Sequence, residues 1–301
     1  MISREAQAEL DRMFAGRKPP DRPIEQRRRE WETEALQQAL PEGFQFAPAD
    51  AGGVPAEWME MPGAVEGRVL LLLHGGGYNA GSPKTHRRIG ADLSRATGMR
   101  VLVPDYRLAP EHPFPAGVDD AITAYRWLRD KGVLAQNIVV GGDSAGGGLA
   151  LSMLLRLRHA NSDMPRAAVL LAPWTDLTVS SQSYEELRHL DPIITREGLR
   201  EAGLWYAGGG DPADPMMSPL FADLAGLPPM LIHAGASEVM VDDSRILAER
   251  AGAAGVEVSF KIFPGMWHVF HGSGSGIPEA RAAIEEIGVY VRALFAEQKS
   301  S

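Results

Sequence analysis

A serine lies between glycines in the run Gly142-Asp143-Ser144-Ala145-Gly146, which fits the pattern G-x-S-x-G. Residues 137–140 before it have the apolar composition of a short buried strand, and residues 145–156 that of a helix. In such a strand-to-helix turn the serine hydroxyl is exposed at the end of the sheet, and the helix N-terminus directs unpaired N–H groups towards it. The run therefore predicts a nucleophilic serine, although a plain glycine-rich turn has the same pattern.

A serine hydroxyl reacts readily only when a base accepts its proton, and that base needs a third group to hold its tautomer. The best histidine is His268, in the loop after the last predicted strand, and His271 is the second candidate. The loop after the preceding strand carries three carboxylates: Glu238, Asp242 and Asp243. Both loops leave the carboxyl ends of their strands, where Ser144 also lies, so the three groups are predicted to meet there.

A second glycine-rich run, His74-Gly75-Gly76-Gly77, ends another buried strand. Successive glycines leave bare N–H groups that can converge on one oxygen anion, and with the N–H of Ala145 they would form an oxyanion hole. A flexible glycine loop is the alternative. A phosphate-binding loop is excluded, because Ser82-Pro83 stands where that motif requires Lys followed by Ser or Thr.

The elements that must position these groups alternate between strand and helix. Strands are predicted over 56–61, 69–74, 99–104, 137–140, 167–172, 230–234 and 256–263, the first of them at a sheet edge. Helices are predicted over 87–97, 117–131, 145–156, 244–254 and 279–295. This alternation is typical of a mostly parallel sheet with right-handed crossovers and flanking helices.

Two segments depart from that alternation. Residues 1–43 have helical spacing broken by prolines, and residues 178–222 form an insertion with helical fragments over 184–190 and 195–206. We expect both segments to form a helical cap over the reactive end of the sheet, within a single domain of residues 1–301. Ordinary packing is the alternative for the first segment. The candidates for substrate contact are Tyr78, Asp143, Trp205 and Tyr206.

Composition and charge argue against several classes of function. A net charge of −9 disfavours nucleic acid as a partner, because phosphate binding needs a basic face. Without cysteine the chain has neither a thiol nucleophile nor a disulfide. Its apolar runs are strand-sized, well short of the roughly 20 residues that span a membrane, and residues 1–5 do not begin a secretory signal, so we expect a cytoplasmic protein. The oligomeric state stays open, with a homodimer among the options.

A third run, Asp105-Tyr106-Arg107-Leu108-Ala109-Pro110-Glu111-His112-Pro113-Phe114-Pro115-Ala116, accompanies the two glycine motifs. Together the three runs resemble the hormone-sensitive-lipase family of bacterial esterases, over roughly residues 45–295. The resemblance implies an α/β-hydrolase fold with a helical cap, and hydrolysis of short-chain esters of small molecules without cofactor or metal. By position it implies Ser144 as nucleophile and His268 as general base. The implied oxyanion donors are Gly76, Gly77 and Ala145.

The sequence departs from that family at the acid. The family commonly has Asp at the start of an Asp-Pro-Leu-x-Asp run, where this chain has Glu238-Val239-Met240-Val241-Asp242. A Glu is one methylene longer but can still accept the imidazole N–H, so we favour Glu238 over Asp242 and Asp243 as the acid. Two rival functions stay open: an amidase or lactonase with the same Ser-His-Glu triad, and a non-catalytic ligand-binding protein on the same fold.

Overall fold

The structure, a computed structural model, describes residues 2–17, 22–274 and 276–296. Within these ranges the strands are β1 (Gln45–Asp50), β2 (Pro55–Glu60), β3 (Val65–Leu73), β4 (Met99–Pro104), β5 (Ile138–Asp143), β6 (Ala167–Leu171), β7 (Met230–Gly235) and β8 (Val258–Phe263). The α-helices of the same ranges are α1 (Arg4–Ala15), α2 (Ile24–Leu36), α3 (Arg87–Thr97), α4 (Ala116–Asp130), α5 (Ala145–His159), α6 (Ser183–Glu186), α7 (Arg196–Ala207), α8 (Val241–Ala253) and α9 (Pro278–Ala296). In this described part, no helix combines the length and apolar character needed to cross a bilayer.

The strands form one sheet in the order β1-β2-β4-β3-β5-β6-β7-β8. From β4 to β8 every neighbouring pair is parallel, and β1 and β2 add antiparallel pairs at one edge. The carboxyl ends of β5, β7 and β8 therefore lie at the same edge of the sheet, with the three loops that carry the predicted reactive residues. The predicted mostly parallel sheet flanked by helices is confirmed.

Two local predictions are wrong. The strand predicted at 56–61 is not at the edge, because β1 pairs outside β2. β1 is mostly exposed and contains Pro48, which removes an N–H donor, so its sequence does not have the apolar pattern of a strand. The helix predicted over 184–190 is only the short α6. The chain turns after it, towards Pro192, and a proline disfavours helical backbone at the residue before it.

The core has two layers because side chains of a strand alternate between the faces of the sheet. On β3, Leu71 and Leu73 are buried in the cluster that includes α4 and α5 residues such as Val118 and Leu149. Leu70 and Leu72 are buried on the other face, in a cluster with residues of α3 and α9. Both faces of the central strands are thus covered by helices, which is why these strands read as continuous apolar runs.

The first helix supports the loop that follows β8. The Ser3 hydroxyl accepts a hydrogen bond from the N–H of Ala6 and so caps α1. The backbone N–H and the hydroxyl of Ser3 both donate to the Glu279 carboxylate at the start of α9, at 2.6 and 2.7 Å. Ala6 is buried in one cluster with Met266 and Trp267. α1 therefore packs directly against the residues that precede His268.

The second helix lies against the loop that follows β3. Arg28 of α2 donates to the carbonyl oxygens of Asn79 and Ala109, at 2.7 and 2.8 Å, and forms a two-bond ion pair with Glu111. From the insertion, the carbonyl oxygen of Tyr206 accepts the N–H of Phe114 at 2.8 Å. Both segments predicted to form a cap thus contact residues 79–114. Residues 1 and 18–21 of the first segment lie outside the described residues.

We expect Leu71→Ala to lower the free energy of unfolding by about 2–5 kcal/mol, because it deletes fully buried methyl groups at the centre of the sheet. Val65→Ala, at an exposed position of the same strand, is the matched control and should change that free energy by less than about 0.5 kcal/mol. Urea unfolding monitored by circular dichroism measures both changes. Equal losses for the two variants would contradict the burial assigned to Leu71.

Candidate active site

Ser144 occupies the turn between β5 and α5. Its backbone has φ 53° and ψ −123°, in a region that residues with a side chain rarely adopt. The turn is possible because Gly142 and Gly146 have no Cβ: a methyl at Gly142 would collide with the backbone of Gly146, and one at Gly146 with the carbonyl oxygens of Leu73 and His74. The two glycines therefore let β3, β5 and α5 approach closely around the serine.

His268 and Glu238 meet although 30 residues separate them in the chain. The imidazole Nδ1 of His268 lies 2.5 Å from Oε2 of Glu238, and the other carboxylate oxygen of Glu238 accepts the N–H of Gly235 at 2.7 Å. Both side chains are buried. A proton on Nδ1 leaves the lone pair of Nε2 free, and among the described residues Nε2 has no hydrogen-bond partner.

The two loops that carry these side chains are joined by backbone hydrogen bonds. The N–H of Ala236 donates to the carbonyl oxygen of Phe263, and that of Ser237 to the carbonyl oxygen of Met266, both at 2.9 Å. A methyl at Gly235 would be 2.7 Å from the carbonyl oxygen of Trp267, so only glycine permits this approach. The distance between Glu238 and His268 is thus set by backbone pairing, which is more rigid than side-chain contact alone.

The surroundings of His268 favour its protonated form. Burial lowers the pKa of His268, but the hydrogen bond that its Nδ1–H donates to Glu238 and the negative charges of Glu238, Asp191 and Asp143 raise it, and the net pKa stands above the ordinary value. Asp143, one of the charges that raise the pKa of His268, is the residue directly before Ser144. A base with this pKa can hold the proton of a serine hydroxyl during a reaction.

The other candidates for acid and base have different partners. Asp242 accepts the N–H of Ser183 at 3.2 Å and pairs with Arg245. Asp243 is buried and accepts the hydroxyl proton of Tyr184 at 2.8 Å, and burial raises its pKa to about 7. The ring of His271 stacks on that of His233, with burial lowering the pKa of His271. The described structure therefore brings Glu238, and neither aspartate, to His268.

Three backbone N–H groups in the loops around Ser144 have no partner within residues 2–17, 22–274 and 276–296. Among the described residues, the N–H groups of Gly76, Gly77 and Ala145 donate no hydrogen bond. Gly76 and Gly77 have φ of 122° and 64°, which turns the chain of this loop sharply at the end of β3. Ala145 begins α5, so its N–H points out of the helix. These groups can stabilise an oxyanion at this end of the sheet.

Asp143, predicted to contact substrate, lies beneath the glycine loop. Its buried Oδ1 accepts the N–H of Gly75 at 3.1 Å and lies 3.1 Å from Nε2 of His86. The imidazole of His86 in turn contacts the indole of Trp31 from α2, with ring centroids 5.9 Å apart. Asp143 therefore holds the first glycine of the loop in place. Sequence reasoning missed His86, since nothing in its local sequence marks it as a partner.

The three aromatic candidates for substrate contact differ in their surroundings. The rings of Tyr78 and Tyr206 are buried and stack with centroids 3.8 Å apart. Within the described residues, neither hydroxyl has a hydrogen-bond partner. Trp205 is half-buried, and the guanidinium of Arg27 lies 5.9 Å from its ring centroid. The stacked tyrosines join the loop after β3 to α7 of the insertion.

The fold and this site define a class, that of the α/β-hydrolases with a serine at the strand-to-helix turn. The family model described as alpha/beta hydrolase fold matches residues 70–272. Among solved structures, an esterase of the bacterial hormone-sensitive lipase family is 40% identical with a TM-score of 0.94, covering 98% of this chain and 99% of that one. EstE5 soaked with p-nitrophenyl butyrate is 38% identical, also with a TM-score of 0.94, covering 98% and 99%.

Curated relatives agree with the structures. An acetyl-hydrolase of Streptomyces hygroscopicus is 43% identical over 241 residues, which are 80% of each chain. An esterase of Acinetobacter venetianus is 37% identical over 252 residues, 83% of this chain and 82% of the relative. The chain belongs to the hormone-sensitive-lipase family of bacterial esterases, and the predicted resemblance is confirmed. Its enzyme class is that of the serine carboxylic-ester hydrolases.

We expect Gly146→Ala to unfold or inactivate the protein, because a methyl there cannot avoid the carbonyl oxygen of Leu73. Gly252→Ala is the matched control: this helical glycine has open space around it, so alanine should raise the free energy of unfolding by about 0.5–1 kcal/mol. Thermal unfolding and turnover of p-nitrophenyl butyrate measure both effects. A Gly146→Ala protein with unchanged stability and turnover would contradict the close packing at the serine turn.

Proposed function

We propose that the enzyme hydrolyses short-chain acyl esters through a Ser144-His268-Glu238 triad and an acyl-enzyme intermediate. One observation carries this proposal: a buried hydrogen bond joins Glu238 to Nδ1 of His268, and Nε2 has no hydrogen-bond partner in the described part of the chain. Both loops and Ser144 follow parallel strands at the same end of the sheet. The order of the three residues along the chain is that of α/β-hydrolases. A carboxylate, an imidazole and a hydroxyl in this relation are what acyl transfer by serine requires.

In the first half-reaction Ser144 attacks the ester carbonyl while Nε2 of His268 accepts the hydroxyl proton. The Oγ–carbon bond forms, and the carbonyl oxygen becomes an anion that the N–H groups of Gly76, Gly77 and Ala145 stabilise. His268 then gives its proton to the departing alkoxide as the carbon–oxygen bond breaks. Glu238 stabilises the imidazolium throughout by accepting the Nδ1 hydrogen bond.

The second half-reaction repeats these roles with water. His268 takes a proton from water as the water oxygen attacks the acyl carbon, and the same N–H groups stabilise the new anion. The imidazolium returns its proton to Oγ of Ser144 when the acyl–oxygen bond breaks, which releases the carboxylic acid and regenerates the enzyme. No group beyond those of the chain, the ester and water takes part.

The low exposure of the reactive groups supports the proposed preference for short acyl chains. Ser144 and His268 are 7% and 4% exposed, so an ester must enter a confined space to reach them. In this proposal residues 1–43 and 178–222 form the cap, through α2 and α7, and Trp205 and the stacked Tyr78 and Tyr206 belong to its inner side. The name acetyl-hydrolase of the Streptomyces relative supports a small acyl group. A profile of turnover against acyl length, from C2 to C16, tests this preference.

We expect Ser144→Ala and His268→Ala each to lower kcat on p-nitrophenyl butyrate by about 10⁴ to 10⁶ fold, because either change removes the proton transfer that activates the nucleophile. His159→Ala, at the exposed end of α5, is the control and should leave kcat unchanged. A fluorophosphonate probe should label the wild-type protein at Ser144 and leave Ser144→Ala unlabelled. A wild-type protein without label would indicate a ligand-binding role instead of hydrolysis.

We expect Glu238→Gln to lower kcat by roughly 10² to 10⁴ fold, and Asp242→Asn by much less, since only Glu238 contacts His268. The neutral imidazole is the active form, so kcat/KM of the wild type should fall with decreasing pH through a pKa above the ordinary value of histidine. Loss of the Glu238 charge lowers that pKa, so the acid limb of the Glu238→Gln profile should move to lower pH. A larger loss for Asp242→Asn would refute the assignment of the acid.

A further inference from the structure

The segment from Ser183 to Asp191 holds the peptide that follows Glu238. The N–H of Val239 donates to Oδ2 of Asp191 at 3.0 Å. The carbonyl oxygen of the same residue accepts the hydroxyl proton of Ser183 at 2.6 Å. Both polar groups of Val239 are therefore satisfied by side chains of the insertion, 48 and 56 residues away in sequence. We call this arrangement the Val239 clamp.

The loop after β7 depends on this clamp. Val239 and Met240 are fully buried, so their backbone groups cannot exchange a lost protein partner for water. Within the loop, the N–H of Val241 reaches the carbonyl oxygen of Glu238 only at 3.4 Å. If the Val239 N–H lost its partner it would stay buried at a cost in free energy. The loop would then shift to satisfy this N–H, and the Glu238 backbone would move with it. Glu238 directly precedes Val239, and its carboxylate holds Nδ1 of His268. Small movements of the Val239 backbone therefore change the geometry at His268.

Asp191 has a hydrogen-bond environment that only a carboxylate satisfies on both oxygens. Oδ1 accepts the N–H groups of Ile193 and Ile194, both at 2.9 Å, while Oδ2 accepts the N–H of Val239. All three partners are donors, and the side chain is fully buried. An amide in its place would turn an NH₂ group towards one of these N–H groups.

The charge of Asp191 also acts on His268. The titratable groups whose charges act on this imidazole come from four places: Glu238 on the loop after β7, Asp191 on the insertion, Asp143 at the end of β5, and His271 on its own loop. The three carboxylates favour the imidazolium, and the Asp191 charge contributes to raising the pKa of His268. Because the imidazolium forms during each proton transfer, a nearby fixed negative charge lowers the barrier.

We propose that Asp191 is a positioning residue for ester hydrolysis, which fixes Glu238 through the Val239 N–H and stabilises the imidazolium of His268 with its charge. This proposal rests on the proposed function of the Ser144-His268-Glu238 site. It assigns to the insertion a part in the chemistry besides any part in covering the substrate. Ser183 completes the positioning from the carbonyl side of Val239 but carries no charge.

We expect Asp191→Asn to lower kcat on p-nitrophenyl butyrate by about 10 to 100 fold, the range expected for the loss of a hydrogen bond to a buried charge. KM should change little, because Asp191 faces backbone N–H groups and no substrate-binding side chain. The acid limb of the kcat/KM profile should move to lower pH, since removal of this charge lowers the pKa of His268. Stopped-assay kinetics over a pH series measure all three quantities.

Asp176→Asn is the matched control for stability. Asp176 is also fully buried, and its two side-chain oxygens accept the N–H groups of Thr178 and Ser180 at 2.8 and 2.9 Å. Its backbone N–H donates to Asp243 of α8, a bond that the change to Asn keeps, and among the described residues its side chain has no hydrogen bond to Val239, Glu238 or His268. This change should lower the melting temperature while leaving the acid limb in place. If Asp191→Asn behaves in the same way, with kcat and the acid limb of the wild type, the role of Asp191 is merely structural and the proposal is overturned.

Ser183→Ala separates position from charge. It removes the hydrogen bond to the Val239 carbonyl and keeps Asp191, so kcat should fall by about 3 to 10 fold with an unmoved acid limb. An unchanged kcat would overturn the positioning part even where Asp191→Asn does not fold. Absence of fluorophosphonate label on the wild type would overturn the proposed function together with this proposal. If the wild type is labelled but Asp191→Asn keeps the kcat and the acid limb of the wild type, this proposal alone is overturned.

Discussion

The buried hydrogen bond between Glu238 and His268 is the interaction on which the other features of the site depend. Burial of a carboxylate is costly unless other groups satisfy its oxygens. Here Nδ1 of His268 and the N–H of Gly235 do so, at 2.5 and 2.7 Å. The backbone bonds between the loops after β7 and β8 bring these groups together, and α1 packs behind the residues before His268. The orientation of the His268 imidazole thus follows from the arrangement of elements distant in sequence.

A second constraint is the close approach of backbone segments around Ser144. The strained serine turn has no room for side chains at Gly142 and Gly146. The glycine loop after β3 likewise depends on glycine, because Gly76 and Gly77 have positive φ. Asp143 and His86 fill the space beneath that loop with charge and hydrogen bonds. In the described part of the chain the site therefore combines a hydrogen-bonded support under the glycine loop with N–H groups that have no partner, and such preorganised donors can stabilise an anion.

Local patterns predicted the chemistry and most of the sheet, but not the long-range supports. The G-x-S-x-G motif indicated Ser144, and the order of the loops along the chain indicated His268. Glu238 was favoured because it aligns with the first Asp of the Asp-Pro-Leu-x-Asp run of the family. β1 escaped prediction because its residues are exposed and include a proline. Asp191 and the true partners of Asp143 escaped because a carboxylate that binds backbone N–H groups 48 or 68 residues away has no local signature. Such contacts form only when the folded chain packs the insertion and the glycine loop against the carboxyl ends of the strands.

The most direct test of the central claim is a crystal structure of the wild-type protein after reaction with a small alkyl fluorophosphonate. The account predicts a phosphorus–oxygen bond to Oγ of Ser144, with the phosphonyl oxygen about 2.7–3.1 Å from the N–H groups of Gly76, Gly77 and Ala145. Nε2 of His268 should face the remaining ester oxygen while Nδ1 keeps its bond to Glu238. An adduct on another residue, or a phosphonyl oxygen turned away from the glycines, would contradict it.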